Sequence, residues 1–278
     1  MQHKIIILFL GLGLFLGSCE EAYIPISLTP PTGDKVVILE EYSGASCVPC
    51  VEGHQIIENL QNLYGDKFIA ITMHTFVGGQ GNPLPESNYD FRTQDGHDIL
   101  EYLGYPQGIP SGVVDRTEFT GGDDLQLSKQ QWSGAISEEA QKPAQLLLGV
   151  ETTFDQTSRK VNIEVSMFGL SNIDAALSLT VVIVEDKIID AQATPDGHVE
   201  DYEHNNVLRS AISSALGDDI GTLAENESRT KSYEFTLPQA DGSGPWDPAN
   251  CRIIAYVSVK DIAAGKKEIL QGAQADVE

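Results

Sequence analysis

Apolar and polar positions along the chain follow three successive patterns. Ile5 to Leu16 is a nearly unbroken apolar run, interrupted by Gly11 and Gly13 and preceded by Lys4. A bilayer span needs roughly 20 such residues, so the run is too short to cross and reads as an export signal. Farther on, Lys35 to Tyr42 and Phe68 to Thr75 are compact and rich in β-branched residues, the pattern of strands buried on both faces. Between them Cys50, Ile57, Leu60 and Tyr64 recur at helical spacing until Gly65 stops the helix. The three elements predict a right-handed strand–helix–strand crossover. A connection over residues 76–106, rich in glycine and proline, holds a further helix at Tyr89 to Leu103, and another is predicted from Leu127 to Ala140 before Pro143. Beyond residue 144 the period becomes two. Leu146 to Phe154, Lys160 to Met167, Ala176 to Val184, Lys231 to Leu237, Arg252 to Lys260 and Glu268 to Ala275 all read as strands. Asp155-Gln156-Thr157 and Ala263-Ala264-Gly265 read as hairpin loops, and Val207 to Leu216 as a helix crossing one end. Strands without alternating helices predict an all-β, immunoglobulin-like or related antiparallel sandwich over residues 145–278, following an α/β domain over residues 34–144.

A length of 278 residues suits two domains. The 17 Lys and Arg against 41 Asp and Glu give a net charge of −24, a field that repels phosphate backbones and anionic headgroups. Nucleic acid is thereby excluded as a main partner. Four cysteines are too few for a disulfide-built scaffold.

The apolar run ends in Leu16-Gly17-Ser18-Cys19, which resembles the bacterial lipoprotein box. The resemblance implies that residues 1–18 are removed and that Cys19 carries the lipid, with residues 19–33, holding Pro25, Pro30 and Pro31, as a tether. Buried acyl chains contribute about 0.8 kcal/mol per methylene, enough for a multiply acylated cysteine to hold a soluble body at a membrane. The alternative is an ordinary cleaved signal with Cys19 as a structural thiol.

Cys47-Val48-Pro49-Cys50 opens the first predicted helix. A thiolate is the species that attacks disulfides, and the partial positive charge of a helix N-terminus lowers a cysteine's pKa. Cys47 is therefore the candidate nucleophile and Cys50, one turn on, the candidate resolving thiol. The same pair also fits a permanently closed bridge. A zinc site is disfavoured because no second C-x-x-C or close Cys/His pair follows, and His54 and His74 read as ordinary surface or core histidines. The run Asp196, His198, Glu200, Asp201, Glu203, His204 lacks the spacing of a calcium loop and reads as a solvated loop. Neither a metal nor a cofactor is expected, and Cys251 reads as a buried strand thiol.

A C-x-x-C between a strand and a helix resembles thioredoxin-like proteins. The resemblance implies that Glu41, six positions before Cys47, is a buried proton acceptor for Cys50. It also implies that Ile109-Pro110 has a cis bond beside the redox pair and that the backbone of Ile109 pairs with an extended substrate. Ser46, where many thioredoxins carry tryptophan, and the long connection over 76–106 depart from that pattern. A narrower resemblance rests on the lipoprotein box, Leu39 to Gly44 leading into Cys47 to His54, Tyr202 to Arg209, and Ile269 to Ala273. Together they are similar to the 28-kilodalton outer-membrane lipoprotein family of Gram-negative bacteria. That implies a lipid-anchored outer-membrane protein, on the periplasmic face or the cell surface, with a thioredoxin-like domain before a β-rich one. Two functions follow as expectations. One is thiol–disulfide exchange on envelope proteins or another thiol partner; the other is non-enzymatic binding or structural work. Exposure of the Cys47 sulfur, judged together with the isomer of Ile109-Pro110, decides between them, since a buried sulfur or a trans bond removes the reaction geometry.

Overall fold

Strand β1 (Val37–Ser43) is buried along its whole length, as an unbroken apolar run requires. The computed structural model describes residues 35–119, 125–260 and 265–278. After β1 come helix α1 (Cys50–Tyr64), strand β2 (Phe68–His74), helix α2 (Gln94–Leu103), strand β3 (Ser111–Val114), the short β4 (Leu127–Ser128) and helix α3 (Lys129–Glu139). β1 pairs parallel with β2, Val37 beside Phe68, and antiparallel with β3, Leu39 beside Val114. Odd residues of β1 face α1 and α3, where Val37 and Leu39 meet Ile57, Leu60, Trp132 and Ile136. Even residues face the other way, where Ile38 and Tyr42 meet Ile99, Leu100 and Leu103 of α2. The period of two thus gives the strand two different cores.

The six runs of period two appear as β5 (Leu146–Asp155), β6 (Lys160–Gly169), β7 (Ile173–Glu185), β12 (Ser228–Thr236), β15 (Cys251–Val259) and β16 (Ile269–Asp276). Between them lie β8 (Ile188–Thr194), β9 (Gly197–His204), β10 (Val207–Ala211), β11 (Asp218–Leu223), β13 (Ala240–Asp241) and β14 (Gly244–Pro245). None of the described helices is long and apolar enough to cross a membrane.

The expected fold class, a thioredoxin-like α/β domain followed by a separate all-β sandwich, is corrected by the sheet topology. Among the described residues the chain is mainly β. One nine-stranded mixed sheet runs through both halves in the order β16-β15-β7-β10-β2-β1-β3-β4, with β11 also paired to β7. The joint is β10. It lies parallel to β2 at Val207 and Thr72 and antiparallel to β7 at Leu208 and Val184. Val207 to Leu216 was expected to be a helix. A strand of five residues, the first three of them buried, carries no period that separates strand from helix, and the strand is fixed by neighbours far away in sequence. β5, β6 and β12 form a three-stranded sheet on one face of the large sheet's C-terminal part, so a sandwich exists only there. β7 records both environments: Leu177, Leu179, Val181 and Ile183 pack toward that small sheet, whereas Val182 and Val184 join the α2 core.

Candidate functional site

The turn between β1 and α1 carries the C-x-x-C. Cys47 and Cys50 are joined, with an S–S distance of 2.06 Å and Cα atoms 5.4 Å apart. The Cys47 N–H donates to the Gly44 carbonyl at 3.1 Å, and the Cys50 N–H to the Cys47 carbonyl at 3.2 Å. Cys50 is the first residue of α1, so the bridge sits at the expected helix start. Both cysteines are 0% exposed, although Val48 and Pro49 between them face solvent.

Their cover is the hairpin of β8 and β9, a two-stranded sheet of its own. Gln192 Nε2 donates to the carbonyls of Cys47 at 3.0 Å and Gly44 at 3.3 Å. The Ala193 N–H donates to the Ala45 carbonyl at 2.8 Å. The connection after β2 closes the other side. Ser46 Oγ donates to the Asn82 carbonyl at 2.8 Å, and a Cβ on Gly44 would stand 2.3 Å from the Gln80 oxygen, so the turn tolerates only glycine there. Asp190 of the hairpin ties the two covers together by accepting from the N–H groups of Asn88 at 2.7 Å and Tyr89 at 3.0 Å.

Glu41 of β1 is wholly buried. Its Oε2 accepts from Thr72 Oγ1 at 2.7 Å, and its Oε1 has no hydrogen-bond partner. Burial without a paired cation raises its pKa to about 8. Gly53 lets α1 approach: a Cβ there would lie 3.3 Å from Glu41 Oε1, Pro110 Cβ and the Trp132 ring. Glu41, Pro110 and the first turn of α1 therefore converge. The Ile109-Pro110 bond is cis, both residues are half-buried, and Pro110 borders a cavity of about 240 Å³ with Ser111 and Gln126.

Three histidines complete the polar region, His74 and His204 buried and His54 half-buried. His54 Nε2 shares a 2.8 Å hydrogen bond with Ser43 Oγ and lies 3.7 Å from Glu41 Oε1. Its Nδ1 shares another at 2.8 Å with the Tyr202 hydroxyl. His74 and His204 pack against Phe91, and neither ring nitrogen of His74 nor His204 Nε2 has a hydrogen-bond partner. Burial holds all three neutral, with His54 lowered to about 3, His204 to about 4 and His74 well below its usual value.

The acidic run is exposed as expected, except at His204, but is strand rather than loop. Its residues form the turn and outer strand of the hairpin, with Asp196, Glu200 and Asp201 exposed but His204 buried. The turn had a readable signal in Pro195-Asp196-Gly197, with Thr194 paired to Gly197. Among the described residues no group of three or more His, Cys, Asp or Glu is arranged to hold a metal. The Cys251 thiol is buried and free, its pKa pushed up by burial. Cys19 lies outside the described residues.

Among solved structures, HBP35 of Porphyromonas gingivalis is similar over 89% of this chain and 76% of its own, with a TM-score of 0.65 and 19% identity. A protein of Agrobacterium tumefaciens is similar over 88% of this chain and 96% of its own, with a TM-score of 0.51 and 7% identity. Identities so low carry the fold alone. No curated protein sequence matches the chain. The family model for outer membrane protein Omp28 matches residues 102–277, well over half the chain, and the chain belongs to the Omp28 outer membrane protein family.

Proposed function

We propose that the protein is a lipid-anchored, non-enzymatic binding protein of the outer membrane, held at Cys19, in which Cys47–Cys50 is a permanently closed structural bridge. The observation that carries this reading is the complete burial of both cysteines, in a turn whose carbonyls are hydrogen-bonded to β8. Thiol–disulfide exchange needs an attacking thiolate to reach a disulfide sulfur, and the hairpin stands in its way. Closing so short a loop contributes about 2 kcal/mol in the chain-entropy account. The bridge also fixes the turn whose Gly44, Ala45 and Cys47 carbonyls receive β8. Two measurements test the reading. Wild-type protein with dithiothreitol is expected to reduce insulin no faster than dithiothreitol alone, and Cys19→Ala is expected to leave the outer-membrane fraction while Cys47→Ser/Cys50→Ser stays in it. Accelerated insulin reduction counts against the closed bridge, and retention of Cys19→Ala counts against the anchor.

A second reading is favoured by Glu41, whose burial without a counter-ion serves no structural purpose that its neighbours reveal. With the hairpin displaced, a partner's thiolate would attack the Cys47 sulfur, forming a mixed disulfide and expelling the Cys50 thiolate. Protonated Glu41 would then hand its proton to Cys50, and Ile109 and Pro110 would border the partner's chain. This exchange requires an opened state; the closed bridge does not.

A further inference from the structure

A groove of about 610 Å³ separates α1 from the turns that join β7 to β8 and β9 to β10. Its size falls within the roughly 300–1,000 Å³ of small-ligand sites. Its floor is rigidly built around Asn206, a buried residue in the left-handed region with φ of 59°. The Asn206 N–H donates to Asp186 Oδ1 at 2.7 Å, and its carbonyl accepts from the Thr72 N–H at 2.8 Å. Asn206 Oδ1 accepts from Gln61 Nε2 at 2.8 Å and from Arg252 Nη2 at 2.9 Å. Such a floor is ordered before any ligand arrives, which lowers the entropic cost of binding.

The chemistry of the lining narrows the ligand class. Arg252 is already forked onto Asp186, at 2.9 and 3.1 Å, so its charge is neutralised. Lys187 shares the rim with Glu58 and Glu203. The groove therefore offers no net attraction to phosphate or carboxylate. Aliphatic surface is limited to Val51 and Ile57, too little for an apolar ligand. What the groove supplies in quantity is side-chain amide: internal hydrogen bonds hold Gln55 and Gln61 through Nε2, and Asn206 and Gln274 through the side-chain oxygen, which leaves the acceptor end of the first two and the donor end of the last two for a ligand. Hydroxyl groups, donor and acceptor at once, match that supply. The half-buried Tyr202 also lines the groove, held by His54 at its hydroxyl and packed against the rings of His54 and His204, a fixed aromatic surface for the C–H groups of a pyranose.

We infer that this groove binds a neutral carbohydrate. The inference rests on the reading of the protein as a binding protein and names its ligand class. It is tested on the full mature chain by titration calorimetry with maltohexaose, cellohexaose, xylohexaose, mannohexaose and chitohexaose, with inorganic phosphate and trialanine alongside. At least one hexaose is expected to bind with Kd below about 1 mM, and phosphate and trialanine to give no signal. Gln61→Ala and Tyr202→Ala, checked for native circular dichroism, should each weaken binding about tenfold or more. Leu147→Ala, at an exposed position of β5, should leave it unchanged. The inference is overturned if no hexaose binds below about 1 mM, if trialanine or phosphate binds instead, or if neither groove variant changes the affinity. Sugar binding that persists in a protein whose bridge proves open to reductant removes the closed-bridge reading alone; absent sugar binding with a protected bridge removes the ligand alone.

Discussion

Glu40→Ala is expected to destabilise the fold by about 3–5 kcal/mol, the usual cost of leaving one partner of a buried ion pair alone. Arg116 donates through Nε to Glu40 Oε2 at 2.8 Å and through Nη2 to Glu40 Oε1 at 2.6 Å. All of it is buried. The guanidinium also donates to the Tyr256 hydroxyl at 2.9 Å, and that hydroxyl donates to Glu40 Oε1 at 3.2 Å. Glu40 and Arg116 belong to the first half of the chain and Tyr256 to β15, so the network binds together segments that the sequence pattern assigns to different domains. One thermal transition, shifted as a whole by Glu40→Ala, is the expected calorimetric result. Glu40→Leu/Arg116→Leu should cost much less than the single change, because no charge is stranded. A variant in which residues 35–119 melt separately while the rest stays native would contradict the continuous sheet.

Acidification is expected to produce the second large effect. His74 and His204 are buried and His54 half-buried, and all three are neutral, with folded pKa values lowered to about 3 for His54 and about 4 for His204, and far down for His74. In the unfolded chain each titrates near 6.5. The stability they contribute is therefore fully present above pH 6.5 and lost as the pH falls, by about 1.4 kcal/mol per pH unit for each histidine. Glu41 has the opposite sign. Its folded pKa is raised to about 8, so its contribution is complete below an unfolded value near 4.3 and lost as the pH rises through 8. Asp115 has the same sign as Glu41, its folded pKa raised to about 7 by burial, so between pH 6.5 and about 4.3 the two carboxyls offset two of the three histidines, and below about 3.9 neither does. Urea midpoints should fall from pH 6.5 to 4.5 and then more steeply, and His204→Phe should flatten the profile. A midpoint constant from pH 6.5 to 4 would show that these rings are hydrated in the folded state.

Much of the local structure was legible because local rules govern it. Val36 to Leu39 and Ile69 to Ile71 are continuous apolar runs that suit strands with a core on each side. Cys50, Ile57, Leu60 and Tyr64 fall on one helical face and are the residues α1 buries. What stayed hidden depends on distant pairing. Val207 to Ala211 becomes a strand only because β2 and β7 leave a gap between their edges. The change of period near residue 144 marks a real change of local environment, yet a sheet can cross such a point when a later strand returns to the earlier ones. The same limit applies to the site. Cys47, Cys50, Glu41, Ile109 and Pro110 could be named from the sequence, but the strand held on the carbonyls of the Cys47 turn comes from Gln192 and Ala193, 145 residues farther on in the case of Gln192 and Cys47. Composition gives no hint that an acidic stretch forms a lid's outer strand.

Native-state reactivity of the bridge measures the central claim most directly. The folded protein would be incubated at pH 7.5 with dithiothreitol at increasing concentration, alkylated with iodoacetamide, and the peptide containing Cys47 and Cys50 weighed by mass spectrometry, with a urea-unfolded sample beside it. The account predicts an unlabelled, closed pair in the folded sample at concentrations that fully label the unfolded one. Rapid labelling of Cys47 without urea would mean that the hairpin admits thiols to the bridge, and that the C-x-x-C is an accessible redox centre.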